Sequence, residues 1–225
     1  MQISKPPHRW NVSPVRAAAL QRELAPSIIA RGNVPGARYV AGADLAFTPD
    51  QQRCIAGVVV WDLHRQEVVE QRTAVRKVNF PYVPGLLSFR EAPALLAAIG
   101  KLAIEPDAYI FDGQGYAHPR RFGLACHVGL LIDRPSAGCA KSRLIGHHAE
   151  PGRRRGSMTP LIDKGRPIGT VLRTRDKVKP VYVSLGHRLS LSAAEKLVLA
   201  CCAGYRLPEP TRLADHLVAM AKRRL

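Results

Sequence analysis

The sequence has few acidic residues, few aromatic residues and no long apolar run. Its 225 residues include 17 Asp and Glu against 34 Lys and Arg, so the formal net charge is +17 with neutral histidines. Aromatic residues make up 6% of the chain, but 46% of residues are hydrophobic, which excludes a disordered tail protein. The apolar runs are too short, and too often interrupted by charge or proline, to span a bilayer. Residues 1–10 have no apolar h-region, so we read no signal peptide and expect a cytoplasmic protein.

Cysteines are also few, and their pattern excludes two classes of small domain that depend on cysteine for stability. The five are odd in number and have no CxxC spacing, so neither a disulfide framework nor a zinc module is indicated. We expect them to be small buried hydrophobic residues in a reducing compartment. They are Cys54, Cys126, Cys139, Cys201 and Cys202.

The excess of positive charge is informative about binding partners. A basic, folded chain attracts polyanions, and nucleic acid is the commonest of these, with a membrane surface or an acidic protein as the alternatives. The basic residues are not confined to one tail, which indicates that they line the surface of a folded domain rather than form a basic tail. They recur at Arg120 and Arg121, at 153–155, at Arg173, Arg175, Lys177 and Lys179, and at 222–224.

Hydrophobic periodicity predicts an α/β protein. Three strands joined by short connections indicate an antiparallel meander, after which helices and strands alternate. We find no composition break and expect a single domain, residues 1–225, with a central mixed β-sheet flanked by helices. Helices are predicted at 14–31, 91–102, 122–132, 192–202 and 211–222, and strands at 39–47, 55–62, 67–78, 108–111, 137–144, 169–173 and 178–184.

Asp44 and Asp112 are acidic residues in apolar strand contexts. A lone carboxylate inside the 39–47 strand is costly unless it has a partner, and a metal ion is a strong one. The alternative is that Asp44 lies on the solvent face of an edge strand. Asp112 ends the 108–111 strand and is followed by Gly-Gln-Gly, which lets a ligand approach the backbone closely. Two strands that each present one Asp can place two carboxylates side by side.

Three further polar residues are candidates for the same site. Glu91, at the predicted start of helix 91–102, is either a partner of the helix dipole or the third acid of a magnesium site. Three converging carboxylates repel one another, and a hard dication relieves that repulsion and can hold a phosphate oxygen. His118 is either structural or a phosphate contact that can transfer a proton. Lys141, expected within the 137–144 strand, is either an exposed charge on an edge strand of the sheet or a group that neutralises a scissile phosphate.

Several motifs together resemble the endonuclease V family of deoxyinosine 3′-endonucleases. The central one is Phe111-Asp112-Gly113-Gln114-Gly115, followed by His118-Pro119-Arg120 and by the stretch 123–129. The matching segments cover nearly the whole chain, in order. The others lie at 40–44, 81–93, 140–142, 172–175, 184–188 and 206–215.

The resemblance implies a fold, an activity and a cofactor. The fold is ribonuclease H-like, with metal-binding acids on the central sheet. The activity is that of a DNA repair enzyme that hydrolyses the second phosphodiester bond 3′ to a deoxyinosine and leaves the lesion in place. The implied cofactor is Mg²⁺, with Mn²⁺ as a substitute, and the implied ligands are Asp44, Asp112 and Glu91. His118 and Lys141 are implied to assist near the phosphate.

The resemblance also implies how the lesion is held. Tyr82 is the wedge that fills the gap left by the displaced base, and Arg120 contacts the DNA. Hypoxanthine is read by main-chain and apolar contacts around Gly85, Leu87, Gly113, Gly115 and Leu144.

Departures from the family pattern and alternative functions stay open at this stage. The stretch 135–139 and the triple-arginine loop at 153–155 depart from the pattern but leave the acids untouched. The first alternative is a nuclease acting on inosine-containing RNA, since single strands also fit such a site. The second is a non-catalytic nucleic-acid-binding protein. We expect a monomer that binds deoxyinosine-containing DNA and no membrane.

Overall fold

A mixed sheet of eight strands organises the chain, in the order β3-β2-β1-β4-β5-β8-β7-β6. The computed structural model describes Ile3 and residues 6–224. The strands are β1 (Tyr39–Phe47), β2 (Arg53–Asp62), β3 (Glu67–Lys77), β4 (Ala108–Phe111), β5 (Ser136–Ala140), β6 (Met158–Asp163), β7 (Arg166–Leu172) and β8 (Val181–Leu185). The helices are α1 (Pro14–Leu24), α2 (Leu87–Ile99), α3 (Leu124–Ile132), α4 (Leu191–Ala200) and α5 (Glu209–Lys222), with a 3₁₀ turn at Ala25–Ser27.

Strand register brings the ends of several strands together. Strands β1, β2 and β3 form the predicted antiparallel meander, while β4 pairs parallel with both β1 and β5. Ala43 pairs with Phe111, so Asp44 and Asp112 each follow the last pair of this ladder. Strand β8 then runs antiparallel to β5, and β7 and β6 follow at the far side. We call the end of the sheet where β1, β4 and β5 finish the carboxyl end.

Helices cover both faces of the sheet. On one face, α2 and α3 pack on alternate residues of the central strands, among them Ala41, Ala43, Tyr109 and Phe111. On the other face, α4 packs on the intervening residues, while α5 lies against β1 and β2. The three-layer arrangement confirms the predicted α/β class with a mixed sheet flanked by helices. No helix in the described residues has the length and apolarity needed to cross a membrane.

Helix boundaries differ from the sequence prediction where proline is involved. The helix predicted at 14–31 ends at Leu24, because Pro26 lacks the N–H that a continuing helix needs and forces a 3₁₀ turn. The prediction of helix 91–102 is wrong at its start: α2 begins at Leu87 and includes Pro93 in its interior. Glu91 therefore lies one turn inside the helix rather than at its first residue. The other helices match within about two residues.

Two strand predictions also need correction. Strand β5 ends at Ala140, so the 137–144 prediction is too long and Lys141 follows the strand rather than lying within it. The ladder stops there because its partner β8 begins at Val181, and Ala140 pairs with Tyr182. Strand β6 was not predicted separately, and its signal was the Lys164-Gly165 turn that joins it to β7.

All five cysteines are free and buried, as expected. Burial raises the pKa of the Cys54 thiol, and likewise that of Cys202, to about 12. These thiols are therefore uncharged and serve as packing residues.

Candidate active site

A cleft of about 380 Å³ opens at the carboxyl end of the sheet. Its walls come from the loop before α2, the first turns of α2, the loop after β4 and the loop after β5. It holds nine of the predicted site residues: Tyr82, Gly85, Leu87, Glu91, Asp112, Gly113, His118, Lys141 and Leu144. Asp44, Gly115 and Arg120 are not among the residues that line it.

The predicted acids form one electrostatic group. Asp44 and Asp112 are neighbours across the β1–β4 ladder, and Glu91 reaches the same place from the α2 side. Burial, followed by repulsion from Asp112, raises the pKa of Asp44 to about 7. Burial and the Asp44 carboxylate raise the pKa of Glu91 to about 8. Both carboxyls thus sit where negative charge is poorly compensated by the protein alone.

Lys141 and Asp215 complete this group. The Lys141 ammonium lies 2.6 Å from an Asp112 carboxylate oxygen and 3.9 Å from Asp215 Oδ1. Burial opposes the charge of Lys141, but the ion pair with Asp112 raises the lysine pKa overall. Asp215 is exposed and hydrogen-bonds the Asp44 side chain, which further raises the Asp44 pKa. Sequence reasoning missed Asp215 as a site residue, although it ends the matching segment 206–215 and falls in a predicted helix.

Helix α5 brings Asp215 to the site through a close helix–strand contact. A Cβ on Gly42 would lie 2.1 Å from the Pro210 carbonyl carbon and 2.3 Å from the Thr211 nitrogen. Only glycine in β1 allows the first turn of α5 to approach this closely. The side of β1 that carries Gly42 also carries Asp44, so the contact places α5 next to that carboxyl.

The carbonyl of Gly85 is held by three donors. It accepts from His118 Nε2 at 2.9 Å, from Arg120 Nη2 at 2.6 Å and from Gln21 Nε2 at 3.1 Å. Gly85 adopts φ 78°, a left-handed conformation that suits glycine at this turn. The three donors fix the loop that carries Tyr82 relative to α1 and the loop after β4.

The contacts of His118 and Arg120 show that both side chains hold the Gly85 loop in place. Burial lowers the pKa of His118 to about 4, and its Nδ1 accepts from the Arg120 backbone N–H at 3.2 Å. Both ring nitrogens of His118 are therefore engaged by backbone groups, in the neutral form. Arg120 also donates to Gln21 Oε1 at 2.5 Å. Phosphate assistance by His118 and DNA contact by Arg120 stay predictions.

The mouth of the cleft is apolar and exposed. Tyr82 is 70% exposed and Leu144 45% exposed, on opposite loops. Gly113 lines the cleft between them, whereas the Gly115 N–H donates to Ser184 Oγ at 2.9 Å on β8. Gly115 thus lies against the sheet, and its part in reading a base stays a prediction.

Comparison with known proteins identifies the family. Residues 22–216 match the Endonuclease V family. The chain belongs to this family. It is 50% identical over 212 residues to Endonuclease V of Gloeobacter violaceus, covering 93% of this chain and 86% of that one.

Solved structures of the family superimpose closely. The Endonuclease V of Streptomyces avermitilis gives a TM-score of 0.91 at 43% identity, covering 96% of this chain and 95% of that one. The Ciona intestinalis Endonuclease V, in complex with a 24-mer DNA containing an inosine followed by a ribo-adenosine, gives 0.81 at 26% identity, covering 93% and 98%. The ribonuclease H-like fold that the sequence resemblance implied is confirmed, and the chain is a nuclease that hydrolyses phosphodiester bonds.

Endonuclease V enzymes depend on a divalent metal, and the donor chemistry of this cleft fits one. Carboxylate oxygens are the ligands that hard dications prefer. The raised pKa values of Asp44 and Glu91 reflect burial first and repulsion between carboxylates second, and a bound dication would offset both. As placed, no three carboxylate, imidazole or thiol side chains in the described part of the chain are arranged to hold an ion. Lys141 instead neutralises Asp112.

Two amide side chains near the cleft were also missed by sequence reasoning. Gln21 is buried on α1 and, besides Gly85, donates to the Phe122 carbonyl at 3.1 Å. Gln114 lines the cleft, donates to the Ser142 carbonyl at 3.0 Å and has a buried Oε1 with no hydrogen-bond partner in the described residues. Gln114 was in the quoted motif, but nothing in a motif shows which amide oxygen will be left unpaired.

Proposed function

We propose that this enzyme nicks DNA at the second phosphodiester bond 3′ to a deoxyinosine, with Mg²⁺ as its cofactor and with the lesion left in place. The observation that carries the proposal is the cleft itself, in which a group of carboxylates stands beside an exposed aromatic ring and apolar walls. Family membership and the inosine-containing DNA bound by the Ciona relative support the substrate.

Asp44, Asp112 and Glu91 would hold the metal, with Asp215 at the rim. When bound, a divalent cation supplies Lewis-acid stabilisation of phosphate charge and makes a water molecule more acidic. The chain's own contribution is to keep the three carboxylates together on β1, α2 and the end of β4. Their mutual repulsion in a partly buried site favours any dication that replaces the lost solvation.

The other side chains of the cleft bind and orient the substrate. Lys141 carries a positive charge beside Asp112, where it can neutralise a phosphate oxygen. Tyr82 can fill the gap that a displaced base leaves in the stack, since its ring is exposed on a loop held through Gly85. The unpaired Oε1 of Gln114 can accept a hydrogen bond from an N–H of a bound base.

The decisive experiment is a nicking assay on matched inosine-containing and normal oligonucleotides, with Mg²⁺ and with chelator. We expect nicking of the inosine substrate in Mg²⁺ only. Asp44→Asn or Asp112→Asn should abolish nicking and leave the fold intact, because each replaces a carboxylate oxygen ligand with an amide group. Asp44→Asn also removes a repelling charge, so its thermal midpoint of unfolding should be unchanged or higher. Full activity of either variant in Mg²⁺ would remove the metal assignment.

The same assay tests the RNA alternative. The DNA in the Ciona complex contains a ribo-adenosine after its inosine. The assay should therefore also use single- and double-stranded inosine-containing RNA as substrates. Faster cleavage of RNA than of DNA would reassign the enzyme as an inosine-specific endoribonuclease. We further propose that the enzyme acts as a monomer in the cytoplasm, and the free buried thiols support a reducing compartment.

A further inference from the structure

Two loops at the carboxyl end of the sheet concentrate positive charge outside the cleft. They join β5 to β6 and β7 to β8, and strand pairing places both at the end where Lys141 lies, since Ala140 pairs with Tyr182 and Leu172 pairs with Val181 and Met158. Residues 150–157 and 173–179 together contain seven Lys and Arg against two acids. The sequence indicates that these cations belong to a basic surface, but it does not show where they lie relative to the cleft.

A buried arginine holds the two loops together. Arg173 is 6% exposed and donates to the carbonyls of Gly152 at 3.0 Å, Pro151 at 2.9 Å and Val178. Backbone bonds add to this, since the Lys177 N–H donates to the Arg153 carbonyl at 2.8 Å. The two loops are therefore one fixed body, and their outward side chains keep a defined spacing.

We define the basic ridge as the six exposed cations on this body. None of their side chains forms an ion pair within the residues that the structure describes. The nearby acids are already engaged: Asp176 accepts from the Arg155 backbone N–H at 2.6 Å, and Glu150 pairs with Arg173 at 2.7 Å. The members of the basic ridge are Arg153, Arg154, Arg155, Arg175, Lys177 and Lys179.

The basic ridge is connected directly to the cleft. Arg206 donates from Nη2 to the Lys141 carbonyl at 2.7 Å and from Nε to the Lys179 carbonyl at 2.9 Å. One guanidinium thus ties the cleft residue that pairs with Asp112 to the near end of the ridge. From there the ridge continues along the carboxyl end of the sheet, away from β1 and β4.

We propose that the basic ridge is a second binding surface, which holds the phosphate backbone of a DNA duplex arm beyond the nucleotides in the cleft. The proposal rests on the proposed function for the position of the lesion, but duplex binding by the ridge does not require cleavage. A row of exposed cations without acidic partners matches a row of phosphates and releases counterions on binding. Such contacts fix register and orientation without reading sequence.

The test compares two triple variants of equal charge in a binding titration. Arg153→Ala, Arg154→Ala and Lys177→Ala remove ridge cations whose side chains hold no other part of the fold. Arg65→Ala, Lys164→Ala and Arg166→Ala remove three exposed cations from the β2–β3 and β6–β7 turns at the opposite end of the sheet, where the surface ion pair of Arg65 with Glu67 contributes little. The probe is a DNA duplex with a central inosine, in chelator so that no cleavage occurs, over a series of salt concentrations.

We expect the ridge triple variant to lose about tenfold or more in duplex affinity, and to reduce the slope of log K against log salt by about 2–3. The opposite-end triple variant should keep the wild-type slope. A short single-stranded inosine oligonucleotide that fills only the cleft should be nicked equally by both, which also reports correct folding.

Equal loss of slope in the two variants would overturn the proposal, because diffuse net charge would then account for binding. The proposal would also be overturned if the ridge triple variant bound the duplex with the wild-type affinity and salt slope. It would be overturned as well if that variant lost binding to anionic phospholipid vesicles but kept its binding to DNA. If wild-type enzyme fails to nick inosine DNA while the ridge still governs duplex affinity, the proposed function fails and the ridge stands.

Discussion

Tyr82 owes its exposure to the residues around it. Pro81 and Pro84 restrict the backbone on either side, and Gly85 is held by donors from α1 and from the loop after β4. A phenol ring that is 70% exposed on so constrained a loop contributes little to the core. A Tyr82 side chain that merely anchored the turn would need contacts that bury its ring.

Replacing this ring should separate lesion discrimination from stability. Tyr82→Ala should lower the preference for inosine over normal DNA by roughly tenfold or more, since stacking on an aromatic ring contributes about 1–3 kcal/mol per base. Tyr82→Phe should be nearly silent, because stacking needs the ring and not the hydroxyl. Nicking rates on both substrates and the thermal midpoint check this. Retained preference in Tyr82→Ala, or a large drop in its midpoint, would contradict the wedge role.

At the scale of elements, the position of α5 decides whether Asp215 belongs to the site. The helix reaches β1 through the hydrogen bond of Asp215 to Asp44 and through backbone packing. Its approach depends on the missing side chain of Gly42, against which the Pro210 and Thr211 backbone packs. Stability and site geometry are therefore coupled at this contact.

Two substitutions distinguish packing from charge at this contact. Gly42→Ala should destabilise the fold by about 1–3 kcal/mol through overpacking, and should lower nicking because α5 must move outward. Asp215→Asn should lower nicking while leaving stability nearly unchanged, since the side chain is exposed. Denaturant unfolding and the nicking assay measure both effects. Gly42→Ala with wild-type stability and activity would show that α5 adapts without moving Asp215.

The elements also show how far the sequence carried the prediction. The meander, the short buried strand 108–111 and the order of helices follow from local apolar periodicity, and all were predicted. The start of α2 was missed because a proline is expected in the first turn of a helix, whereas Pro93 lies in the interior of α2. The end of β5 depends on where β8 begins, which no local pattern records.

The candidate site divides in the same way. Asp44, Glu91, Asp112 and Lys141 were named in advance because carboxylates and an ammonium in apolar surroundings are unusual, and the structure brings them together. Sequence reasoning missed the residues whose side chains hydrogen-bond and position other parts of the site. Gln21 reaches Gly85 across 64 positions of sequence, and such a contact exists only once α1 has packed.

For the whole molecule, the balance of buried titratable groups determines how stability depends on pH. Burial lowers the pKa of four histidines below the ordinary 6.5, to about 4 for His118 and about 3 for His127. His8 and His187 shift in the same direction, also through burial. Below pH 6.5 these histidines therefore bind protons in the unfolded chain that they do not bind in the folded chain. Asp44 and Glu91 have the opposite effect, because the fold raises their pKa values.

We therefore expect the metal-free enzyme to be most stable near pH 6.5–7. As the pH falls from 8 toward 7, the folded state takes up protons on Glu91 and Asp44 that the unfolded state does not, so stability rises by roughly 1–2 kcal/mol. Below pH 6.5 proton uptake by His118 and His127 in the unfolded chain offsets the effect of the two carboxyls, and the lowered pKa values of His8 and His187 make stability fall again. Denaturant unfolding in chelator between pH 5 and 9 measures this profile. The double variant Asp44→Asn, Glu91→Gln should lose the rise between pH 8 and 7 and should decline more steeply below pH 6.5, because the opposing carboxyls are gone. A wild-type enzyme that is most stable at pH 8 or above would show that these two carboxyls are ionised in the metal-free fold at little cost.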